Sequence, residues 1–402
     1  MKVYHVLDHF IPLYSGYTFR SKYIMQFQQK CGLEVQAIVS PKHSQNLAKK
    51  ETIEGVPCTR IHINSGLWGK IPYLKEYHFL QFFKNKIVEI LKENPPDIIH
   101  SHSPILCGIP ALNAARKRKI PVVYEVRGLW EDSAVSAGST RKNSIRYILS
   151  KGYETVLMKK VDQVVTICEG LRQEIIQRGI PAEKIHVTPN GVDAQSFLPR
   201  PASKEIIEKH QLNGKKIIGF LGSFYKYEGL YDMVQAMPCI LQKEKNAVLI
   251  LGGKGEEEQE LKDLVDKLQI QKNVLFLGQI EHKDVLSYYS IMDVVVYPRE
   301  KNRLTDLVTP LKPLEAMSME KAVLGSSANG IMELVQNEKT GLIFQSGDIQ
   351  NLASQCLLLL HSPQQRKTLG ENARKYVLQH RSWDRIIQEH VGLYQKLLGT
   401  KK

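Results

Sequence analysis

The chain has little that would tie it together covalently or hold it in a membrane. Its six cysteines in 402 residues, at positions 31, 58, 107, 168, 239 and 356, stand far apart. None forms the close pairs from which zinc sites or disulfide frameworks are built, so reduced and mostly buried thiols are expected. No apolar run approaches the roughly 20 residues that a membrane-crossing helix needs. The N-terminal MKVYHVLDHF lacks the layout of a signal peptide, and a cytoplasmic protein is expected. Tandem repeats and low-complexity tracts are missing. So is any recognition-helix, zinc-finger or RNA-binding sheet signature, which argues against nucleic acid as a partner.

What is there is an ordinary globular balance of 43% hydrophobic and 24% charged residues. The length is generous for one core and comfortable for two domains. The formal charge of +14 is uneven: residues 1–195 hold 27 Lys+Arg against 17 Asp+Glu, a net of +10, and the remainder holds 28 against 24. The first half therefore either faces something acidic or has a basic surface. Within residues 67–94, Trp68, Tyr73, Tyr77, Phe79, Phe82 and Phe83 alternate with Lys70, Lys75, Lys84 and Lys86, a mixture that suits an anionic membrane surface. The alternative is an amphipathic helix with Phe82, Ile87, Ile90 and Leu91 in the core.

Short β-rich runs alternate with helical patterns throughout. Strands are expected at 2–7, 34–39, 59–63, 97–100, 121–126, 163–167 and 185–188, then at 216–221, 247–251, 274–277, 294–297, 322–325 and 341–344. This alternation predicts two doubly wound α/β domains with mainly parallel sheets. The polar segment Asp193–Gly214, with Pro199 and Pro201, reads as the boundary, and residues 382–402 as an amphipathic helix packing back across the first domain.

Glycine turns follow three strands: Gly16 in IPLYSGYTFRS, Gly222 with Ser223 in IIGFLGSFYKYEGL, and the pair in LILGGKGEEEQEL. The third lacks the last glycine of a dinucleotide turn, and Glu256, Glu257 and Glu258 would repel a pyrophosphate, so no nicotinamide cofactor is expected. The segment VTPLKPLEAMSMEK (308–321) is more informative. Thr309 is a good N-cap and Pro310 suits the first helical position, so a helix is expected to start there. Lys312 then falls in a first turn that already carries about half a positive charge. Glu315 follows on the same side, among apolar Leu314, Ala316 and Met317. Either a bound anion meets Lys312 and hydroxyl donors meet Glu315, or the two are a solvated lysine and a glutamate in a surface ion pair.

The order of these turns, with DIIHSHSP (97–104), VTPNGVD (187–193), FLGQIEHKDVLSYYSIMDVVVYP (276–298), PLKPLEAM (310–317) and EKTGLIF (338–344), resembles the family 4 retaining glycosyltransferases of the GT-B fold. The resemblance implies an α/β protein of two Rossmann-like domains facing a central cleft. Residues 1–195 would take a glycan or polyprenyl-linked acceptor, and 196–381 a nucleotide-diphosphate sugar of UDP or GDP type. No metal and no further cofactor are implied. Glu315 would accept hydrogen bonds from the donor ribose. Lys312, at the helix start with Pro310 and Leu311, would contact the diphosphate. Gly16, Gly222, Ser223 and Lys226 would complete the donor site. Lys312, Arg127 and His102 are the residues expected at the chemistry. YEVRGLWED, YKYEGL and TPLKPLEAM are similar to a branch associated with exopolysaccharide or exosortase-linked surface glycans. A lipid-linked acceptor would place the protein peripherally at the inner face of the membrane.

Three positions depart from the family pattern. A second glutamate eight residues before Glu315 is replaced by Leu307, beside Asp306. Ser223 and Glu228 stand where an arginine and a lysine are usual, with Lys226 as the nearest replacement. Arg127 replaces a histidine after the fifth strand. A catalytically silent GT-B protein that binds a glycan or polyanion, and a GT-B nucleotide-sugar epimerase, therefore stay open as alternatives.

Overall fold

The structure is a computed structural model and describes residues 1–43, 47–63, 74–136, 138–281 and 283–399. Two compact units divide the chain: Met1–Pro189 with Trp383–Lys402, and Asn190–Ser382. The division falls before the polar segment Asp193–Gly214, which belongs wholly to the second unit and holds a short helix, Lys204–Lys209.

The first unit is built on eight strands: β1 (Lys2–Leu7), β2 (Glu34–Val39), β3 (Lys50–Ile53), β4 (Val56–Arg60), β5 (Ile98–His102), β6 (Val122–Val126), β7 (Gln163–Thr166) and β8 (Ile185–Val187). Their order across the sheet is β3-β4-β2-β1-β5-β6-β7-β8, parallel throughout except that β3 runs against β4. β3 is absent from the strands expected from sequence. Its residues KETI are mostly polar and exposed, and it exists because Glu54 and Gly55, both at positive φ (48° and 85°), turn the chain tightly enough to pair Ile53 with Val56.

The second unit has six parallel strands, β9 (Lys216–Leu221), β10 (Ala247–Gly252), β11 (Val274–Gly278), β12 (Val294–Tyr297), β13 (Ala322–Ser326) and β14 (Leu342–Phe344), in the order β11-β10-β9-β12-β13-β14. Every residue of β10, β12 and β13 is buried, as a parallel sheet covered on both faces requires. In each sheet the chain reverses its direction of travel once, between β1 and β5 and between β9 and β12. Ligands of open α/β sheets bind outside the carboxyl ends of the strands at such a switch point.

Two helices bear on readings left open by the sequence. In Leu74–Glu93, Phe83, Ile87 and Leu91 are buried and Phe82 and Ile90 half-buried, so this helix packs its apolar face on the core. Trp68, Lys70 and Tyr73 lie outside the described residues. The Trp383–Gly399 helix lies against the Gly16–Lys30 helix: Gln28 Nε2 donates to the Tyr394 hydroxyl at 3.1 Å, and the Arg20 guanidinium sits 5.5 Å from the ring of Trp383.

Candidate functional site

In the second unit the switch point is occupied by the loop after β9, the end of β12 and the helix Lys312–Ser318. That helix begins two residues later than expected. Thr309 does not cap it, because Asn190, far away in sequence, donates from Nδ2 to the Thr309 carbonyl (2.8 Å) and hydroxyl (3.3 Å). Pro310 is buried and Leu311, the residue at the cap position, half-buried; together they form the turn that delivers Lys312.

The Lys312 side chain runs over Gly222. A Cβ built there would lie 2.3 Å from both Cε and Nζ of Lys312, so only glycine leaves this path open. Its ammonium sits 4.7 Å from the Phe220 ring centroid and donates to Glu228 Oε1 at 2.9 Å. Glu228 also receives two hydrogen bonds from Arg299, both 3.2 Å. Burial opposes ionisation of Glu228, yet Arg299 and Lys312 outweigh it and hold the carboxyl down at about 2. Two cations against one carboxylate leave an excess of positive charge. Burial also lowers the pKa of Lys312.

Glu315 lies one turn on, half-buried, with Oε2 accepting from the Tyr289 hydroxyl at 3.2 Å. The Tyr297 hydroxyl donates to the Lys312 carbonyl at 2.8 Å and so pins the helix to the end of β12. Burial pushes the Glu315 carboxyl up to about 7, against the pull of Tyr289 and Lys312. A carboxylate in this state gains from any further hydroxyl donor. Ser223 and Lys226 are exposed in the loop after Gly222. Asp306 is engaged elsewhere, accepting from the Asn329 amide at 2.8 Å and lying 3.7 Å from Lys301 Nζ, while Leu307 is half-buried.

Glu228 departs from the family pattern in sequence, and Arg299 and Tyr289 carry no signal there, yet all three hold the side chains of this site. The buried pair Glu228–Arg299 joins residues 71 positions apart. No local pattern announces it.

In the first unit the corresponding residues form a closed network. Gly16 is exposed and opens the Gly16–Lys30 helix, with Ser15 accepting from the Thr18 amide at 3.2 Å. Arg127 spends its donors inside the protein: Nε to Glu125 (2.5 Å), Nη1 to the Tyr17 carbonyl (2.7 Å) and Ser21 (2.8 Å), and Nη2 to His102 Nδ1 (2.5 Å). Its guanidinium also lies 4.3 Å from the Tyr17 ring centroid. His102 and His100 are fully buried.

The tautomers follow from the partners. His5 Nε2 faces the Gln28 carbonyl oxygen and must donate, so His5 Nδ1 accepts from His102 Nε2 at 2.8 Å, and His102 Nδ1 accepts from Arg127. Both rings are neutral. Burial, reinforced at His5 by His100 and at His102 by Arg127, drives His5 to about 3 and His102 well below the usual histidine range. His5, His100 and His102 have the spacing of metal ligands, as do Asp8, His9 and His43. Arg20 and Arg127 flank the first set and Lys42 lies 3.7 Å from Asp8, so neither environment favours a cation.

At its switch point the second unit carries an excess of positive charge and a carboxylate with room for further donors, a combination that suits an anionic, hydroxyl-bearing ligand such as a nucleotide. Comparison with known proteins narrows this. Residues 202–376 match the family described as "Glycosyl transferases group 1" and residues 22–196 the family "Glycosyltransferase Family 4". The chain is 26% identical to the capsular polysaccharide biosynthesis glycosyltransferase CapM of Staphylococcus aureus over 78% of its own length and 80% of that protein. Among solved structures it resembles sucrose-phosphate synthase of Thermosynechococcus elongatus (TM-score 0.78, 20% identity, 99% of each chain). It also resembles Anabaena HepE in complex with UDP-glucose (TM-score 0.75, 18% identity, 98% of this chain and 100% of that one). The chain belongs to the family 4 glycosyltransferases, with the GT-B fold, and transfers sugar from a nucleotide-sugar donor.

Proposed function

We propose that the protein is a retaining, metal-independent glycosyltransferase that moves a sugar from a UDP- or GDP-type donor to a glycan or polyprenyl-linked precursor of a surface polysaccharide, working beside an anionic membrane. The observation that carries the donor reading is the placement of Lys312 and Glu315 on consecutive turns of one helix at the β9/β12 switch point. Glu315 takes the ribose hydroxyls. Lys312 takes the diphosphate, with Gly222, Ser223 and Lys226 along its edge and Pro310 and Leu311 shaping the approach.

As the anomeric bond breaks, negative charge grows on the leaving phosphate. The Lys312 ammonium, partly desolvated and fixed over Gly222, stabilises that charge where it develops. The acceptor hydroxyl attacks from the same face and passes its proton to the departing phosphate, so no protein carboxylate is needed at position 307. Arg127 and His102, whose donors and acceptors are satisfied within the first unit, hold the turn after β1 and the end of β5 in shape for the substrates, with Gly16 at the rim. The acceptor class is supported by the name of the CapM relative.

Calorimetry with nucleosides, nucleoside diphosphates and nucleotide sugars tests the division of labour. Glu315→Ala should weaken nucleoside and diphosphate alike, whereas Lys312→Ala should spare the nucleoside and weaken the diphosphate. Loss of one transition-state donor of this kind costs on the order of 10²–10³ in rate. Equal effects of both substitutions on both ligands, in folded proteins, would refute the assignment.

A further inference from the structure

The helix Ile145–Lys160 of the first unit packs one side on the core and leaves an apolar stripe on the other. Tyr147, Glu154, Leu157 and Met158 face inward. Ile145, Ile148, Leu149, Tyr153 and Val156 are 78, 58, 47, 59 and 47% exposed. At 100° per residue these five fall within one arc of about 140°, along a helix roughly 24 Å long. Isolated exposed apolar side chains need no explanation, but a contiguous row of five does.

The exposed charged residues of this helix and of the loop before it are all basic. Arg146, Lys159 and Lys160 are exposed on the same helix, and Arg141 and Lys142 on the loop that leads into it. The helix has a single acidic residue, Glu154, which is buried and accepts from the Tyr124 hydroxyl at 2.9 Å. At its C-terminal end Lys160 joins Arg116 and Lys119 around a shallow pocket of about 480 Å³ that holds one carboxylate, Asp162. Two copies packed stripe to stripe would bring these cationic rims together. Lipid phosphates would neutralise them while acyl chains cover the stripe.

We infer that the Ile145–Lys160 face is the surface by which the protein docks on an anionic lipid bilayer, lying in the interface with its apolar stripe inserted and its basic rim on the headgroups. This names the contact for the membrane association proposed above, but its evidence is independent of the donor site. It also moves that contact away from the helix at 74–93, whose Phe83, Ile87 and Leu91 are buried in the core.

Co-sedimentation of the full chain with vesicles of phosphatidylglycerol and phosphatidylcholine tests the inference. The wild type should bind these vesicles, bind pure phosphatidylcholine far less, and lose binding as salt rises. Ile148→Ser with Leu149→Ser should reduce partitioning at least tenfold, and Lys159→Glu with Lys160→Glu at least tenfold as well. Tyr153→Trp should shift its emission to the blue on adding anionic vesicles, which reports insertion. Melting temperature and nucleotide binding, measured on each variant, separate a docking defect from misfolding and from failure of the donor reading. Absence of wild-type binding at low salt, or unchanged binding in the serine double variant, would overturn the proposal. A concentration-dependent dimer that Leu149→Ser dissociates would overturn it too, by assigning the stripe to a second copy of the chain.

Discussion

Glu315 and Lys312 each carry a cost of burial that the proposed donor would remove. The carboxyl of Glu315 titrates at about 7 because burial disfavours its charged form, so near neutral pH it is divided between acid and anion. Ribose hydroxyls donate best to the anion. Affinity for a nucleoside, which has no phosphate of its own to titrate, should therefore rise roughly tenfold between pH 6 and pH 8. In Glu315→Gln the profile should be flat. Calorimetry across that range checks both, and a flat wild-type profile would count against the carboxylate as ribose acceptor. Much of this pair was legible in the sequence, since an apolar helix has few reasons to begin with lysine and hold one glutamate. The start of the helix was misread because Asn190 claims Thr309, and nothing near position 309 signals that partner.

At the scale of elements, Glu228 fastens the loop after β9 to the segment after β12 and to the Lys312 helix. Its folded pKa of about 2 lies below the ordinary carboxylate value. The stabilisation is therefore fully present above about pH 4.5 and is lost as pH falls toward 2, a change of roughly 3 kcal/mol. Glu228→Gln leaves Arg299 and Lys312 facing each other without a counter-charge in a buried place, and should destabilise the second unit by roughly 3 kcal/mol at pH 7. Urea unfolding measures this, and a loss under about 1 kcal/mol would show that solvent already screens the trio. Strands show the same contrast between local and distant causes. β1, β2, β9 and β12 have the ends their hydrophobic runs predict, because a buried parallel strand is written in its own residues. β3 was missed because its pairing is imposed by the Glu54–Gly55 turn.

Across the whole molecule the two units respond to acid differently. The first encloses His5, His100, His102 and His390, all buried and all with depressed pKa values. A depressed histidine binds fewer protons folded than unfolded, so stability rises with pH up to about 6.5 and drains away as pH falls from there toward 3. Buried Glu154, raised to about 7, works in the opposite direction but is outnumbered. His390 is the clearest contributor, since neither ring nitrogen has a hydrogen-bond partner among the described residues. His390→Leu should raise the first unit's melting temperature at pH 5 by several degrees more than at pH 8. Calorimetric scans at the two pH values decide it, and an equal shift at both would mean the gain is packing alone. The alternation of strands and helices made the two-unit plan readable, whereas this histidine cluster was not, because its members come together only when β1, β5 and the Trp383–Gly399 helix meet.

The placement of the Trp383–Gly399 helix has a consequence for how the protein is made. Asn190–Ser382 is one continuous stretch and has all of its own core as soon as it leaves the ribosome. The first unit does not: until the last helix emerges, Trp383, Ile386, Ile387 and Tyr394 are missing from its interior, and His100 and Gln28 lack the Tyr394 hydroxyl. The half that is synthesised first is thus the half that closes last, and a chain cut after residue 382 should have an unfinished first unit and a finished second one.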